Sequence, residues 1–506
     1  MAVGPGRCRG HSKGGAAGDP GSKPRCAADR AGRHGPGGDR DAAEGPAVCE
    51  PWVGADLGYF RKWLTEGQLH LEISLSDFRC FAKVDSVPIA PITLLIGENS
   101  SGKTSFLAAL RELVQMFNLV GPGSFNSAPY YLGGFEQIAF YKGGSRGRAK
   151  SFALEIALGS SAGETKIDRK KAAVHRLVFT KGEIQPELSR YEVSASEVHA
   201  IFDLSSAVPK VSVNVGDGEV FSVQSDLIPK SFFLRKEVAF FGFYLQNFFS
   251  MAGDKKTEEL NDSARKDINR LGTILRRSSG TMVRSIFASE PVRFQPRRVY
   301  TPSELAAGSG GELVPLQMAN MKLRSPESWK VAKAKLNAFG QKTGLFADID
   351  VKRLGKTIGD PFQIQVKALG QSANLVDVGY GVSQALPLLV PLQDGDHNFF
   401  LLQQPEVHLH PRAQAEFGSL IVELLGQKPD SNYVIETHSD YIVDRIRSEV
   451  HRGTLDYKQV SILYFQKQGR EVTILPIELD SKGDIVNPPL GYRDFFLAEQ
   501  ARVLGL

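Results

Sequence analysis

The stretch that most constrains this chain is Gly97-Glu98-Asn99-Ser100-Ser101-Gly102-Lys103-Thr104. It follows the apolar run Ile92-Thr93-Leu94-Leu95-Ile96. It precedes Phe106, Leu107, Leu110, Leu113, Val114 and Phe117, which recur at helical spacing. Strand, glycine-rich loop and helix in that order make a P-loop, whose inward-pointing N–H groups cradle phosphate oxygens. The positive end of the following helix adds to the attraction. Lys103 is expected to reach the β- and γ-phosphates and the Thr104 hydroxyl to hold Mg²⁺. Gly97, Asn99, Ser100, Ser101, Gly102 and Ser105 complete the expected cradle. The chain is therefore expected to bind a nucleoside triphosphate.

Composition narrows the setting. The 506 residues leave room for two to four domains, and 42% hydrophobic residues suffice for a large core. No window holds the roughly 20 uninterrupted apolar residues that span a bilayer, and the N-terminus lacks the apolar core of a secretory signal. Cys8, Cys26, Cys49 and Cys80 contain no C-x-x-C pair, which argues against a zinc site or a disulfide framework. A reducing cytoplasm is the expected compartment. The net charge of +5 permits contact with nucleic acid without arguing strongly for it.

Residues 1–50 contain 12 Gly and no Leu, Ile, Phe, Tyr or Trp, and are expected to be a disordered tail. Leu69, Leu71, Ile73 and Leu75 alternate with polar residues as a half-buried strand does. A second strand over 89–96 delivers the P-loop. Strand-like runs follow at 151–158, 173–179 and 210–223, then a basic, helical run at 257–286. The last third alternates strands (399–402, 433–435, 460–465, 472–478) with helices after Pro411, Ser439 and Tyr492. That alternation implies a mostly parallel sheet.

Three more motifs occupy that last third. They are Asp377-Val378-Gly379-Tyr380-Gly381-Val382-Ser383-Gln384, the strand and turn from Phe399 through Gln403, Gln404, Pro405 and Glu406 to His408-Leu409-His410-Pro411, and Ile435-Glu436-Thr437-His438-Ser439. Taken with the P-loop and with Asp77-Phe78-Arg79, the set resembles the ABC-type ATPase head of the SMC/RecF/OLD-like AAA-family ATPases of prokaryotic DNA repair and phage defence. In that resemblance Gly381-Val382-Ser383-Gln384 is the signature, Leu401 to Pro411 the Walker B region and His438 the switch histidine. It implies an α/β P-loop NTPase fold, a mixed or parallel sheet flanked by helices, with a compact α+β insertion. It implies ATP and Mg²⁺ as cofactors, and a homodimer with ATP sandwiched between heads, Ser383 and Gln384 of one closing on the phosphates of the other. The expected divisions are a tail at 1–55, the first part of the head at 65–150, an insertion at 151–330 and the second part of the head at 331–506.

The pattern departs from the family at the Walker B strand. Its two acids are replaced by Gln403, at the metal position, and Gln404, at the catalytic one. An amide orients water but neither accepts its proton nor adds negative charge. Glu406 and Glu436 are the candidate replacement acids. Slow hydrolysis without a strong base is consistent with phosphoryl transfer, which depends mostly on positioning and electrostatics. The expected protein is thus a slow ATPase or ATP-gated switch acting with a partner effector, such as a separate nuclease, since no nuclease domain follows the last strand. The alternative is a non-hydrolysing, ATP-gated scaffold. A transporter-coupling role is disfavoured and no membrane contact is expected. Residues 251–300 hold eleven Lys/Arg against six Asp/Glu. Arg265, Lys266, Arg270, Arg276, Arg277 and Arg284, with Arg293, Arg297 and Arg298 beyond, could track DNA, meet a protein, or only face solvent. His408 and His410 are expected to shape their loop.

Overall fold

The computed structural model describes residues 69–115, 125–160, 167–169, 172–195, 198–215, 218–224, 272, 285–290, 293, 295–305, 310–357, 359–368, 370–393, 397–493, 498 and 501–504. The expected tail, most of the basic run at 257–286 and most of a closing helix after Tyr492 lie outside them.

Two sheets share one helix. The first elements are β1 (Leu69–Phe78), β2 (Phe81–Ile89), β3 (Ile92–Gly97) and α1 (Lys103–Gln115). The expected strand over 89–96 is divided by Ala90 and Pro91, so β2 ends at Ile89 and β3 starts at Ile92. Proline lacks the N–H a continuous ladder would need. Next come β4 (Ser151–Ser160), β5 (Ala173–Thr180), β6 (Glu187–Ala195), β7 (Val198–Asp203), β8 (Lys210–Val215) and β9 (Gly218–Gln224). The single strand expected over 210–223 is a hairpin of two. These strands form one antiparallel sheet in the order β9-β8-β7-β6-β5-β4-β1-β2. The segment set apart as an insertion thus begins at Ser151 with a strand hydrogen-bonded to β1 from Leu69 to Ser76.

The second sheet carries the P-loop. Its further members are β10 (Ile286–Ala288), β11 (Phe399–Gln403), β12 (Asn432–Glu436), β13 (Val460–Gln468), β14 (Glu471–Leu479) and β15 (Ile485–Val486), in the order β10-β11-β12-β3-β13-β14-β15. The strands from β10 to β13 are parallel and the last two antiparallel. Ile286, at the end of the expected basic helix, is in β10. The helices of this half are α2 (Val314–Arg324), α3 (Pro326–Thr343), α4 (Tyr380–Gln393), α5 (Pro411–Gln427) and α6 (Asp440–His451). Together these layers are an α/β P-loop NTPase fold.

Alternation along β3 explains the layering. Leu95 faces a core shared with α1 and the antiparallel sheet, while Ile92, Leu94 and Ile96 face α2 to α6. Both faces are covered, so the strand reads as a continuous apolar run. Phe106, Leu107, Leu110, Leu113 and Val114 of α1 are fully buried between the sheets. Burying each such side chain stabilises the fold by about 1.5–3 kcal/mol. This packing fixes where α1 begins and hence where the P-loop sits. Among the described residues, no helix is long and apolar enough to cross a membrane.

Candidate nucleotide site

The P-loop is shaped by close approaches that only glycine permits. Gly97 (φ +136°) lies against the backbone of Phe465 on β13, and Gly102 (φ +88°) against Cys80 in the turn between β1 and β2. A Cβ at either position would clash, and the φ values disfavour other residues. The Lys103 ammonium folds back over its own loop, donating to Gly97 O (3.0 Å), Glu98 O (2.7 Å) and Ser101 Oγ (3.4 Å). These oxygens hold it where phosphate oxygens would replace them. Burial lowers its pKa, and the nearby Glu436 carboxylate opposes that shift.

The decisive contact joins the first turn of α1 to the end of β12. The Thr104 hydroxyl donates to the Glu436 carboxylate, 2.8 Å to Oε2 and 3.1 Å to Oε1. Glu436 ends β12, the strand next to β3, and is buried. Burial pushes its carboxyl up, the Thr104 hydrogen bond and the Lys103 charge pull it down, and neighbouring Glu406 pushes it up further. A threonine hydroxyl beside one carboxylate suits Mg²⁺, which takes one or two carboxylates and completes its shell with phosphate and water. Thr104 and Glu436 are the residues that would hold it. Among the described residues, no group of three or more His, Cys, Asp or Glu is placed to hold a metal.

The end of β11 is occupied differently. Gln403 is buried, its N–H donating to Ser289 Oγ (2.9 Å). Gln404 adopts φ +41°, and its N–H donates to Glu436 O (2.8 Å). The carbonyls of both accept from Arg293 Nη2, at 3.2 and 2.8 Å. Glu406 is a brace: Oε1 accepts from the His438 N–H (2.7 Å) and Oε2 from Thr437 Oγ1 (2.9 Å). Burial raises its pKa against those hydrogen bonds. His438 itself is exposed and lines a second cavity, of about 400 Å³, with Gly97, Glu98 and Ser439. Partial desolvation of the ring and the Lys103 charge lower its pKa.

The signature residues turn inward. Ser383 is 1% exposed and donates to Tyr380 O (2.8 Å), and Gln384 is wholly buried, with Oε1 accepting the Arg293 N–H (3.2 Å). Both lie on buried turns of α4, so the expected contact of Ser383 and Gln384 with a second subunit's phosphate does not fit their placement. The exposed part is Val376 to Tyr380, where α4 starts. Gly381 lets that start approach the His408 carbonyl, and the Tyr380 and His408 rings meet edge to face at 4.8 Å. His410 caps α5, its Nδ1 accepting from Arg412 N (3.3 Å).

Arg293, expected on the basic face, is 4% exposed and ties α4 to the end of β11. Burial lowers its pKa to about 10, while Glu406 acts to raise it. Arg298 grips Asp377 with both nitrogens, at 2.9 and 2.6 Å. Arg297 lies 3.5 Å from Glu304. Lys467 on β13 is a contact that sequence reasoning missed, its ammonium donating to Asn99 O (2.6 Å). Its only signal was a position just before the turn at Gly469.

Residues 344–444 match a family model described as "AAA domain, putative AbiEii toxin, Type IV TA system". Residues 344–444 are thus similar to an AAA-type ATPase domain, over about a fifth of the chain. The match includes Asp377 to Gln384, Leu401 to Pro411 and His438. No curated protein matches the chain. Among solved structures, it is similar to an Smc head with an extended coiled coil bound to the C-terminal domain of ScpA, from Pyrococcus furiosus. That likeness has 12% identity and TM-score 0.40, covering 86% of this chain and 100% of that one. For the SMC head domain of Thermotoga maritima the values are 11%, 0.36, 81% and 100%.

Proposed function

We propose that this head binds MgATP and hydrolyses it slowly, with Glu436 supplying the negative charge that the Walker B strand lacks. The observation that carries the reading is the Thr104–Glu436 hydrogen bond, which sets a carboxylate beside the hydroxyl of the P-loop. The reading includes a homodimer closed by ATP. The exposed start of α4 at Gly379 and Tyr380, rather than Ser383, would meet the second copy's phosphates, with free N–H groups and the helix dipole as the attraction. Its output would be the control of a separate effector in a DNA-related or phage-defence process. The matched description, which names a toxin of a toxin–antitoxin system, supports that setting.

The test is ATP binding and steady-state turnover of the full chain beside Lys103→Ala, Glu436→Gln and Glu406→Gln. Low turnover, lost in Lys103→Ala and Glu436→Gln, is expected. Rapid turnover, or turnover that survives Glu436→Gln, overturns the assignment. The amides at Gln403 and Gln404 and the fully engaged Glu406 favour one second reading, a non-hydrolysing scaffold gated by ATP. Tight, Lys103-dependent binding with no product in a single-turnover assay would establish it.

A further inference from the structure

The cavity above the P-loop has about 550 Å³, within the range of small-molecule sites. Lys103 and Thr104 line one part; Tyr141, Phe140, Arg79 and Arg470 line another. Tyr141 is 45% exposed, a large aromatic ring turned into a polar cleft. The guanidinium carbons of Arg148 and Arg470 lie 5.6 and 5.7 Å from its ring centre, within reach of a cation–π attraction.

The ring is held from several sides. Tyr141 bridges Arg148 in antiparallel fashion, and the Phe140 N–H donates to Asp77 O (2.8 Å) near the end of β1. Lys142 pairs with the Asp77 carboxylate at 3.1 Å. Arg470 crosses directly over Gly143, where a Cβ would collide with its Nη1. Arg470 also belongs to the β13–β14 hairpin, whose Lys467 is bonded to the P-loop at Asn99. One hairpin therefore touches both the phosphate cradle and the tyrosine.

We propose that Tyr141, backed by Arg148 and Arg470, is the wall on which the nucleotide's base stacks, selecting purines by the face of the ring. The proposal rests on the reading of the P-loop as a nucleoside triphosphate site. The Arg79 guanidinium in the cavity already donates to Leu132 O and Gln137 O. Stacking depends on ring area and tolerates either purine. ATP and GTP should bind alike, and CTP more weakly.

The experiment is equilibrium binding of ATP, GTP, CTP and inorganic tripolyphosphate to the full chain and to Tyr141→Ala, Tyr141→Trp and Lys103→Ala. Tyr141→Ala should weaken ATP and GTP by about tenfold or more, leave tripolyphosphate unchanged, and be rescued by Tyr141→Trp. Equal losses for all four ligands, no loss for any, or a strong preference between ATP and GTP would overturn the stacking wall. Lys103→Ala separates the two readings: if tripolyphosphate and ATP bind it as tightly as they bind the natural chain, the P-loop reading itself fails.

Discussion

β11 and β12 are neighbours in register, with Gln403 directly opposite Glu436, yet their ends are built for different tasks. The end of β11 is amide and backbone, bound into the scaffold by Ser289 and Arg293. The end of β12 is a carboxylate touching the P-loop threonine. Charge missing from one strand stands on the next, one strand spacing closer to the P-loop. On the proposed reading, the comparison teaches that a site's electrostatics are kept while the motif position that usually supplies them is given up.

The sharpest way to break this comparison is to move the charge back. Glu436→Gln should lower turnover about 10²- to 10³-fold, the scale of losing one aimed electrostatic group, and Gln404→Glu added to it should not restore activity. Recovery in that double variant, read by phosphate release, would return the acid's role to β11. Next in size is the scaffold at β11. Arg293→Met leaves buried carbonyls without a donor and should cost about 2–4 kcal/mol of stability in denaturant unfolding. A change under about 0.5 kcal/mol would show that the arginine braces nothing.

A pH series sharpens the contrast at β12. Burial raises the Glu436 and Glu406 carboxyls above the ordinary 4.5. Without nucleotide, the stability they contribute is therefore present below the unfolded value and lost as pH rises through the raised folded values. On the proposed reading, binding magnesium nucleotide needs the Glu436 carboxylate. Affinity should therefore fall on acidification, starting above pH 4.5 and reaching about tenfold per pH unit, and the slope should flatten in Glu436→Gln. An unchanged slope in that variant would assign the proton elsewhere. The smallest effect is expected at Thr437→Val, which removes the hydrogen bond to Glu406 and the one accepted from the Ser439 N–H, and should cost about 1–2 kcal/mol in thermal unfolding.

Much of the nucleotide half was legible because its signals are local. Glycine spacing, the apolar run of β3 and the 3.6-residue period of α1 each act within a few residues. Glu436 was visible as a candidate because the Thr-His-Ser turn marks a strand end. What was not legible depends on partners distant in sequence. Arg293 reads as one more basic residue until α4 and β11 close around it. Ser383 reads as a phosphate contact until α4 turns it inward. Tyr141 and Arg470 lie more than 300 residues apart, and nothing in the local pattern of either points to the other.

By itself, then, the sequence determined a phosphate loop between a strand and a helix and an α/β alternation in the last third. Hydrophobic period and backbone freedom fix such features within short windows. Only the tertiary structure decided that β4 to β9 continue the sheet of β1 and β2, that Glu436 rather than Glu406 meets Thr104, and that an exposed tyrosine overlooks the cradle. Those outcomes depend on which strands become neighbours, and strand order is set by burial of both faces of the sheet at once, a property no short window contains.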